Sequence, residues 1–362
     1  MRFIFKTKYS QDINIAKHNG DRFWYSLLIL IMVALPLVLD DFYLGEISYI
    51  CILSIAGIGL MILSGYTGLA SLGHAAFLGV GAYTHAFLLT NGIPFYASIP
   101  IVIIVSFLVG AAIGIPILRL TGMYLAIATL ALGFIAEHVF IKWEHFTGGN
   151  RGLPVPQPEF FGMSFYDSVF FYYVCLVFLI AAMFAAINIL RSPTGRAFVA
   201  IRDSEIAAQS LGVNLGLYKA LSFAISGAFT GLAGALLAHY IGYLAPDIFN
   251  IFLSLTLLLL IVVGGMGSLH GTVFGAIFVG FLPQLIAICR DYLPSSIGSQ
   301  PGLEPMLFGL ILVFFILYEP LGIYGRWMKI KLFFELFPTY KRQTFKKQKV
   351  FTCQEFHVTV FM

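Results

Sequence analysis

Residues 191–219 read RSPTGRAFVAIRDSEIAAQSLGVNLGLYK. They gather Arg191, Arg196, Arg202 and Lys219 with Asp203 and Glu205 in the middle of a chain otherwise poor in charge. An apolar run from Val169 to Leu190 precedes them, and another from Ala220 to Tyr240 follows. A charged side chain at the centre of a bilayer costs about 3 kcal/mol, so this segment is a water-exposed loop between two membrane spans. Its basic excess assigns it to the cytoplasmic side.

The loop carries helix signals. Ser192-Pro193 sets an N-cap residue type before a proline at the first helical position, where the missing N–H costs nothing. Asp203 is placed to cap a second short helix, with Glu205 in its first turn and Gly212 as a left-handed stop. Two short helices on a cytoplasmic face make either a docking surface or an ordered connector.

Composition sets the class. Charged residues make up 10% of the 362-residue chain, against about 25% in soluble proteins. Apolar residues make up 59%, and 36 residues are phenylalanine. A soluble chain this long would bury a large core but has too few charges here to clothe its surface, so the expectation is an all-α polytopic membrane protein. Cys51, Cys175, Cys289 and Cys353 form no C-x-x-C pair and imply neither a disulfide framework nor a metal site. The net charge of +4 is no nucleic-acid signal, because the basic residues sort by membrane side.

A span needs roughly 20 apolar residues. Candidates lie at 23–39, 47–64, 69–90, 98–118, 123–141, 169–190, 220–240, 251–266, 271–289 and 304–321, ten in all, the eighth being short enough for half of a broken helix. With the N-terminus inside, 18 of the 21 lysines and arginines are cytoplasmic, leaving only Lys142, Arg151 and Arg290 outside. The domain reading is therefore a cytoplasmic segment over 1–22, a transmembrane domain over 23–321 and a basic cytoplasmic tail over 322–362. The first 22 residues carry Asp12 and Asp21 and no cleavage pattern, so they do not read as a secretory signal. The tail suits an anionic leaflet. Residues 350–362, VFTCQEFHVTVFM, alternate weakly like a strand. The loop 142–168 is extracytoplasmic and too long to be a plain connector by default.

The segment Ile201 to Val213 resembles the cytoplasmic loop of permease subunits from bacterial branched-chain amino acid ABC importers (LivM-type). Ala207, Ala208 and Gly212 match the spacing of the wider Glu-Ala-Ala-x-x-x-Gly importer signature; Ile206 takes the glutamate's place and Glu205 stands one residue earlier. Gly65 to His74 (GYTGLASLGH), Thr147-Gly148-Gly149 and Gly264 to Ser268 (GGMGS) extend the resemblance over roughly residues 24–335. It implies docking of an ATPase through Arg196, Arg202, Asp203, Glu205, Ala207, Ala208 and Gly212. It also implies two ATPase subunits that bind ATP and Mg, a second related permease, a soluble binding protein and the bacterial inner membrane, with both termini cytoplasmic. A urea or short-chain amide permease is the nearest rival, and an ion-coupled carrier working alone is a rival of another class.

Chemistry on the chain itself is sparse. The dipeptide Gly-Lys is absent, so no G-x-x-x-x-G-K-[ST] loop can hold ATP here, and neither H-E-x-x-H nor G-x-S-x-G occurs. Enzyme readings have nothing to stand on. Ion-coupled carriers keep ionisable relays inside the bilayer, whereas the spans here hold only His74, His85, Glu137, His138, His239 and Glu319. The glycine-rich breaks supply candidates for a substrate path: Gly68, Ser71, Gly73 and His74 in the first, Gly264, Gly265 and Gly267 in the second. Broken helices can offer N-termini to a carboxylate, but close packing through small residues explains the same pattern. Thr147, Gly148, Gly149 and Asn150 are candidates for contact with a binding protein.

Overall fold

The computed structural model describes residues 19–117, 120, 122–160, 163–291, 303–318 and 321–336. The expectations for residues 1–18, Arg119, Glu319 and 337–362 lie outside these.

Among the described residues, each of the ten apolar runs overlaps a helix. They are α1 (Asn19–Ala34), α2 (Asp41–Leu60, continued by a π-helical stretch to Tyr66), α3 (His74–Thr90), α4 (Phe95–Ile117) and α5 (Met123–Lys142). Then come α6 (Ser168–Arg191), the short α7 (Pro193–Asp203) and α8 (Glu205–Ser210), α9 (Leu215–Ile241), α10 (Ile251–Gly264), α11 (Leu269–Asp291), α12 (Leu303–Tyr318) and α13 (Gly322–Leu336). Six of them, α2, α4, α5, α6, α9 and α11, are long and apolar enough to cross a membrane, and the pair α12–α13, bent by 42°, makes a seventh when taken as one. The chain is a polytopic helical membrane protein.

Two helices form the centre. The most apolar stretch of α2 is 83% buried and that of α9 is 72% buried, against 17% for α5 and 28% for α6. α9 packs on α4, α3 and α2; α2 packs on α6 and α11; α10 packs on α11. The outer helices carry their large side chains on the surface, as with Leu108, Ile127, Ile135 and Val177, where lipid replaces water as the solvent.

Lipid tails are as apolar as leucine, so helices in a bilayer associate through close packing of small residues. At the α3–α9 crossing a Cβ added to Gly81 would lie 2.1 Å from the Gly231 carbonyl oxygen, and at the α10–α11 turn one added to Gly264 would lie 2.0 Å from that of Gly271. Backbones touch at both places.

α13 occupies the first part of the 322–362 stretch and packs on α10 and α11, with Tyr324 stacked 6.2 Å from His270. At the turn into α13, Gly322 (φ +61) has its α-carbon so close that a Cβ would lie 2.5 Å from both the Gly265 nitrogen and the Val263 carbonyl oxygen. The all-α expectation also gains a small exception. Two-residue strands β1 (Leu153–Pro154) and β4 (Tyr243–Leu244) pair antiparallel, as do β2 (Glu159–Phe160) and β3 (Met163–Ser164).

Candidate functional site

The helical pair α7–α8 sits where the charged loop is expected and packs as a corner against α6 and α9. α7 buries Gly195, Ala197, Phe198 and Ile201, and the Phe198 ring meets Tyr218 of α9 edge-on at 6.4 Å. Pro193 stands at the first helical position as its signal indicates, but Ser192 makes no capping bond; its hydroxyl donates to the Ile189 carbonyl instead. The second cap is also different. Ser204 rather than Asp203 accepts from the Ala207 N–H, at 3.3 Å, because Asp203 is still the last residue of α7 whereas Ser204 has the extended backbone of a cap (φ −164, ψ 114). Gly212 does take the left-handed stop, with φ +86.

Two cations join this corner to the bundle. Lys219, at the start of α9, has a side chain only 5% exposed, and its Nζ lies 2.8 Å from Glu205 Oε2 of α8. A buried ammonium needs such a partner, since an unpaired buried charge costs several kcal/mol. Glu205 therefore points inward, and Ile206, in the signature glutamate's place, is 81% exposed.

Arg202 makes the second link. Its Nε and Nη2 donate to Asp203 Oδ1 at 3.1 and 3.0 Å, while Nη1 donates to the Gly65 carbonyl at 3.2 Å. Gly65 lies in the last turn of the α2 extension, where carbonyls lack helical partners and a cation is favoured. The Arg202 stem lies over Gly68 (φ +76), whose added Cβ would be 3.1 Å from Arg202 Cγ. Beside it the Gly267 N–H points to Met61 Sδ at 3.2 Å, and Arg202 Nη1 lies 3.6 Å from a Cβ built on Gly267. Thus α7, the end of α2 and the α10–α11 turn meet at one arginine.

The candidate path residues divide. Gly68 and Gly267 belong to the Arg202 junction. Gly73 is pressed on α5, with an added Cβ 2.1 Å from the Thr129 carbonyl oxygen; Gly264 is pressed on Gly271 and Gly265 on Leu321. His74 is fully buried and satisfied at both ring nitrogens, Nδ1 with Ser71 Oγ at 3.0 Å and Nε2 with Ser226 Oγ at 2.7 Å. The Ser226 hydroxyl donates on to the Gly59 carbonyl at 2.7 Å, so it accepts from His74 Nε2. Gly73, Gly264 and Gly265 therefore sit at backbone contacts, and His74 holds α2, α3 and α9 together.

The candidate binding-protein residues divide too. Thr147 is buried, its hydroxyl donating to the Phe140 carbonyl at 2.6 Å and accepting from the Gly149 N–H at 3.1 Å. Gly148 and Gly149 are left-handed turn residues with φ +73 and +60. Asn150 alone of the four is exposed. Sequence reasoning missed Gln157 in this loop. Its Oε1 lies 3.0 Å from His239 Nδ1, and its Nε2 donates to the His239 carbonyl at 3.2 Å. His239 Nε2 then meets His85 Nε2 at 2.8 Å, and Ser98 Oγ meets His85 Nδ1 at 2.9 Å. No spacing joins 85, 157 and 239; only folding does.

The comparisons agree with this architecture. The family described as branched-chain amino acid transport system / permease component matches residues 42–316. The high-affinity branched-chain amino acid transport system permease proteins LivM of Salmonella typhimurium and of Escherichia coli K12 are each 32% identical over 321 residues, covering 82% of this chain and 73% of theirs. The autoinducer 2 import system permease protein LsrC of Escherichia coli (strain HS) is 25% identical over 73% of this chain and 79% of its own. No solved structure gives a significant match. A match over residues 42–316, with a third of positions identical across most of LivM, makes this chain a member of the permease family of branched-chain amino acid transport systems.

Proposed function

We propose that this chain is a transmembrane permease subunit of an ATP-driven importer of branched-chain amino acids, built with a second, related permease. The transport systems named for its LivM relatives support the substrate class. ATP and Mg would be bound by two separate ATPase subunits, and substrate would arrive from a soluble binding protein on the outer side. The chain would lie in the bacterial inner membrane with about ten passes and both termini cytoplasmic. The 191–219 loop would fall between the sixth and seventh passes, and the 142–168 loop outside.

The observation that carries the coupling role is the pair of cationic links under α7–α8. Ile206 and Leu211, 81% and 82% exposed, flank Ala207 and Gly212 on the outer side of this corner and offer an apolar face to an ATPase. Ala208 is buried and helps hold the corner. A push on α8 would pass through Glu205–Lys219 to α9, and a push on α7 would pass through Arg202 to α2 and the α10–α11 turn. At the other end, Asn150 with the exposed Tyr166 and Tyr243 offers a surface to a binding protein.

The test is ATP-driven uptake of labelled L-leucine by the reconstituted importer, with urea as competitor substrate. Wild type should take up leucine and not urea. Leu211→Asp should abolish uptake and binding-protein-stimulated ATP hydrolysis while the complex still assembles. Uptake driven by an ion gradient without ATPase subunits, or normal uptake in Leu211→Asp, would sink the respective part of the reading.

A further inference from the structure

The outward side chains change character from α12 to α13. On α12 they are apolar: Leu310, Val313, Phe314 and Leu317 are each more than half exposed, and Glu304 near its start is its only charged residue. On α13 the six consecutive residues Arg326, Trp327, Met328, Lys329, Ile330 and Lys331 are all exposed, and six in a row pass more than once round a helix. One medium therefore surrounds the helix here. Water is a poor solvent for Trp327, Met328 and Ile330, and hydrocarbon for Arg326, Lys329 and Lys331. The headgroup layer of a bilayer receives both kinds, holding tryptophan in its aromatic belt and letting long basic side chains reach the phosphates. Length places the change at that layer. The 16 residues of α12 and the first turn of α13, Gly322 to Gly325, make about 30 Å of helix, the thickness of the hydrocarbon core. Arg326 follows directly.

Charge selects the kind of lipid. The sequence of α13 holds three cations against one acid, Glu335, and continues with Lys341, Arg342, Lys346, Lys347 and Lys349. A basic cluster just beyond a span is drawn to an anionic leaflet. α13 is also fastened at its root. Gly325 is buried, Tyr324 stacks on His270 of α11 with the rings at 12°, and Trp327 lies against Phe274 of α11, centroids 6.4 Å apart. The turn at Gly322 touches the backbone of Val263 and Gly265, two residues before Gly267 and the Arg202 junction. A shift of α13 is therefore felt at the α10–α11 turn.

We propose that Arg326, Lys329 and Lys331 form a site for the headgroup phosphates of anionic phospholipids, and that lipid held there fixes the seat of α13 on the α10–α11 turn, so that import rises with the anionic content of the membrane. The proposal rests on the reading of this end of the bundle as cytoplasmic, and its transport half rests on the importer reading. Arg326 offers a forked donor to phosphate oxygens, and the two lysines add point charges. Arg326 and Lys329 stand three residues apart and so share a helix face, where like charges repel. An anionic headgroup between them turns that repulsion into a shared contact and steadies the helix.

The test uses the purified importer complex with phosphatidylglycerol as the probe. Binding is titrated by native mass spectrometry, and transport is ATP-driven uptake of labelled L-leucine into vesicles of phosphatidylcholine with or without phosphatidylglycerol. Wild type should retain phosphatidylglycerol in preference to phosphatidylcholine, less so at high salt, and should import faster when it is present. Arg326→Gln, Lys329→Gln and Lys331→Gln should each weaken binding about fivefold, the fold-change that corresponds to about 1 kcal/mol per basic residue near the membrane surface. The triple variant should match wild type in pure phosphatidylcholine and gain nothing from phosphatidylglycerol. Wild-type binding in the triple variant overturns the site, and lost binding with an unchanged response to phosphatidylglycerol overturns the regulation. Loss of the ATPase subunits on size exclusion would mean that these cations dock a protein, and overturns the lipid reading. If the triple variant fails to assemble its permeases, Lys329→Gln alone decides, with undiminished binding counting against the site. Cation-dependent binding in a complex that imports leucine in neither lipid supports the site while refuting the importer reading.

Discussion

At the end of the bundle carrying α7 and α8, elements are joined through charge: Lys219 to Glu205, and Arg202 both to its neighbour Asp203 and to the distant Gly65 carbonyl. At the other end, elements far apart in sequence are joined without it. Ser98, His85, His239 and Gln157 form a chain of hydrogen bonds, with Phe95 and Phe165 packed against the His239 ring at 5.6 and 4.9 Å, and the β1–β4 ladder closes beside them. The Nε2–Nε2 contact of the histidines requires one of those nitrogens to be unprotonated. The difference has a physical reading. Long cationic side chains reach across a gap between backbones and keep contact when an element shifts, whereas a ring-to-ring chain in an aromatic cage holds one geometry. The first kind of joint suits a part that is pushed, the second a part that stays put.

Breaking the Glu205–Lys219 pair on one side should have the largest effect. Glu205→Ala leaves the buried ammonium unpaired, and loss of about 3 kcal/mol of stability is expected, read as a lower midpoint of thermal unfolding in lipid. The double change Glu205→Gln with Lys219→Met should recover most of that loss. If the single and double variants melt alike, the pair is not what holds α8 to α9.

Arg202 comes next. Arg202→Ala removes a charge-assisted bond worth about 1.5–3 kcal/mol. The complex should still assemble, but ATP hydrolysis should continue with uptake cut by roughly tenfold or more. Arg202→Lys should restore only part of it, because an ammonium cannot reproduce the forked contact with both Asp203 and Gly65. Full uptake in Arg202→Ala would remove the arginine from the coupling route.

The smallest effect belongs to the far end. Gln157→Ala deletes two neutral hydrogen bonds of about 1 kcal/mol each. Its expected signature is faster hydrogen exchange in the 142–168 loop, with the exchange of α7 and α8 unchanged. Exchange that rises equally at both ends would mean that the two are not mechanically separate.

Much of the end carrying α7 and α8 was legible before folding. Charge inside an apolar chain located the loop, Pro193 and Gly212 marked where its helices begin and stop, and Ala207 and Ala208 fixed the signature. The polarity of individual residues was not legible. Asp203 and Ser204 are both good capping types, and which of them caps depends on where α7 ends. Glu205 stands in a loop like any solvated acid, yet fourteen residues on it meets Lys219 because α8 folds back on α9. The two glycine breaks were visible as small-residue clusters. Their meeting beneath Arg202 was not, since it depends on where α2 ends relative to the α10–α11 turn.

What the sequence determined by itself is the solvent of each stretch. Runs of apolar residues as long as a bilayer is thick become helices, because a backbone in hydrocarbon must satisfy its own hydrogen bonds. The tertiary structure decided which helices face lipid and which are central. It also decided which small residues let backbones touch, and which of the few polar side chains find a partner. In a bilayer, apolar helices gain nothing simply by hiding from lipid. Their arrangement therefore follows from shape and a handful of polar pairings, both of which depend on neighbours far along the chain.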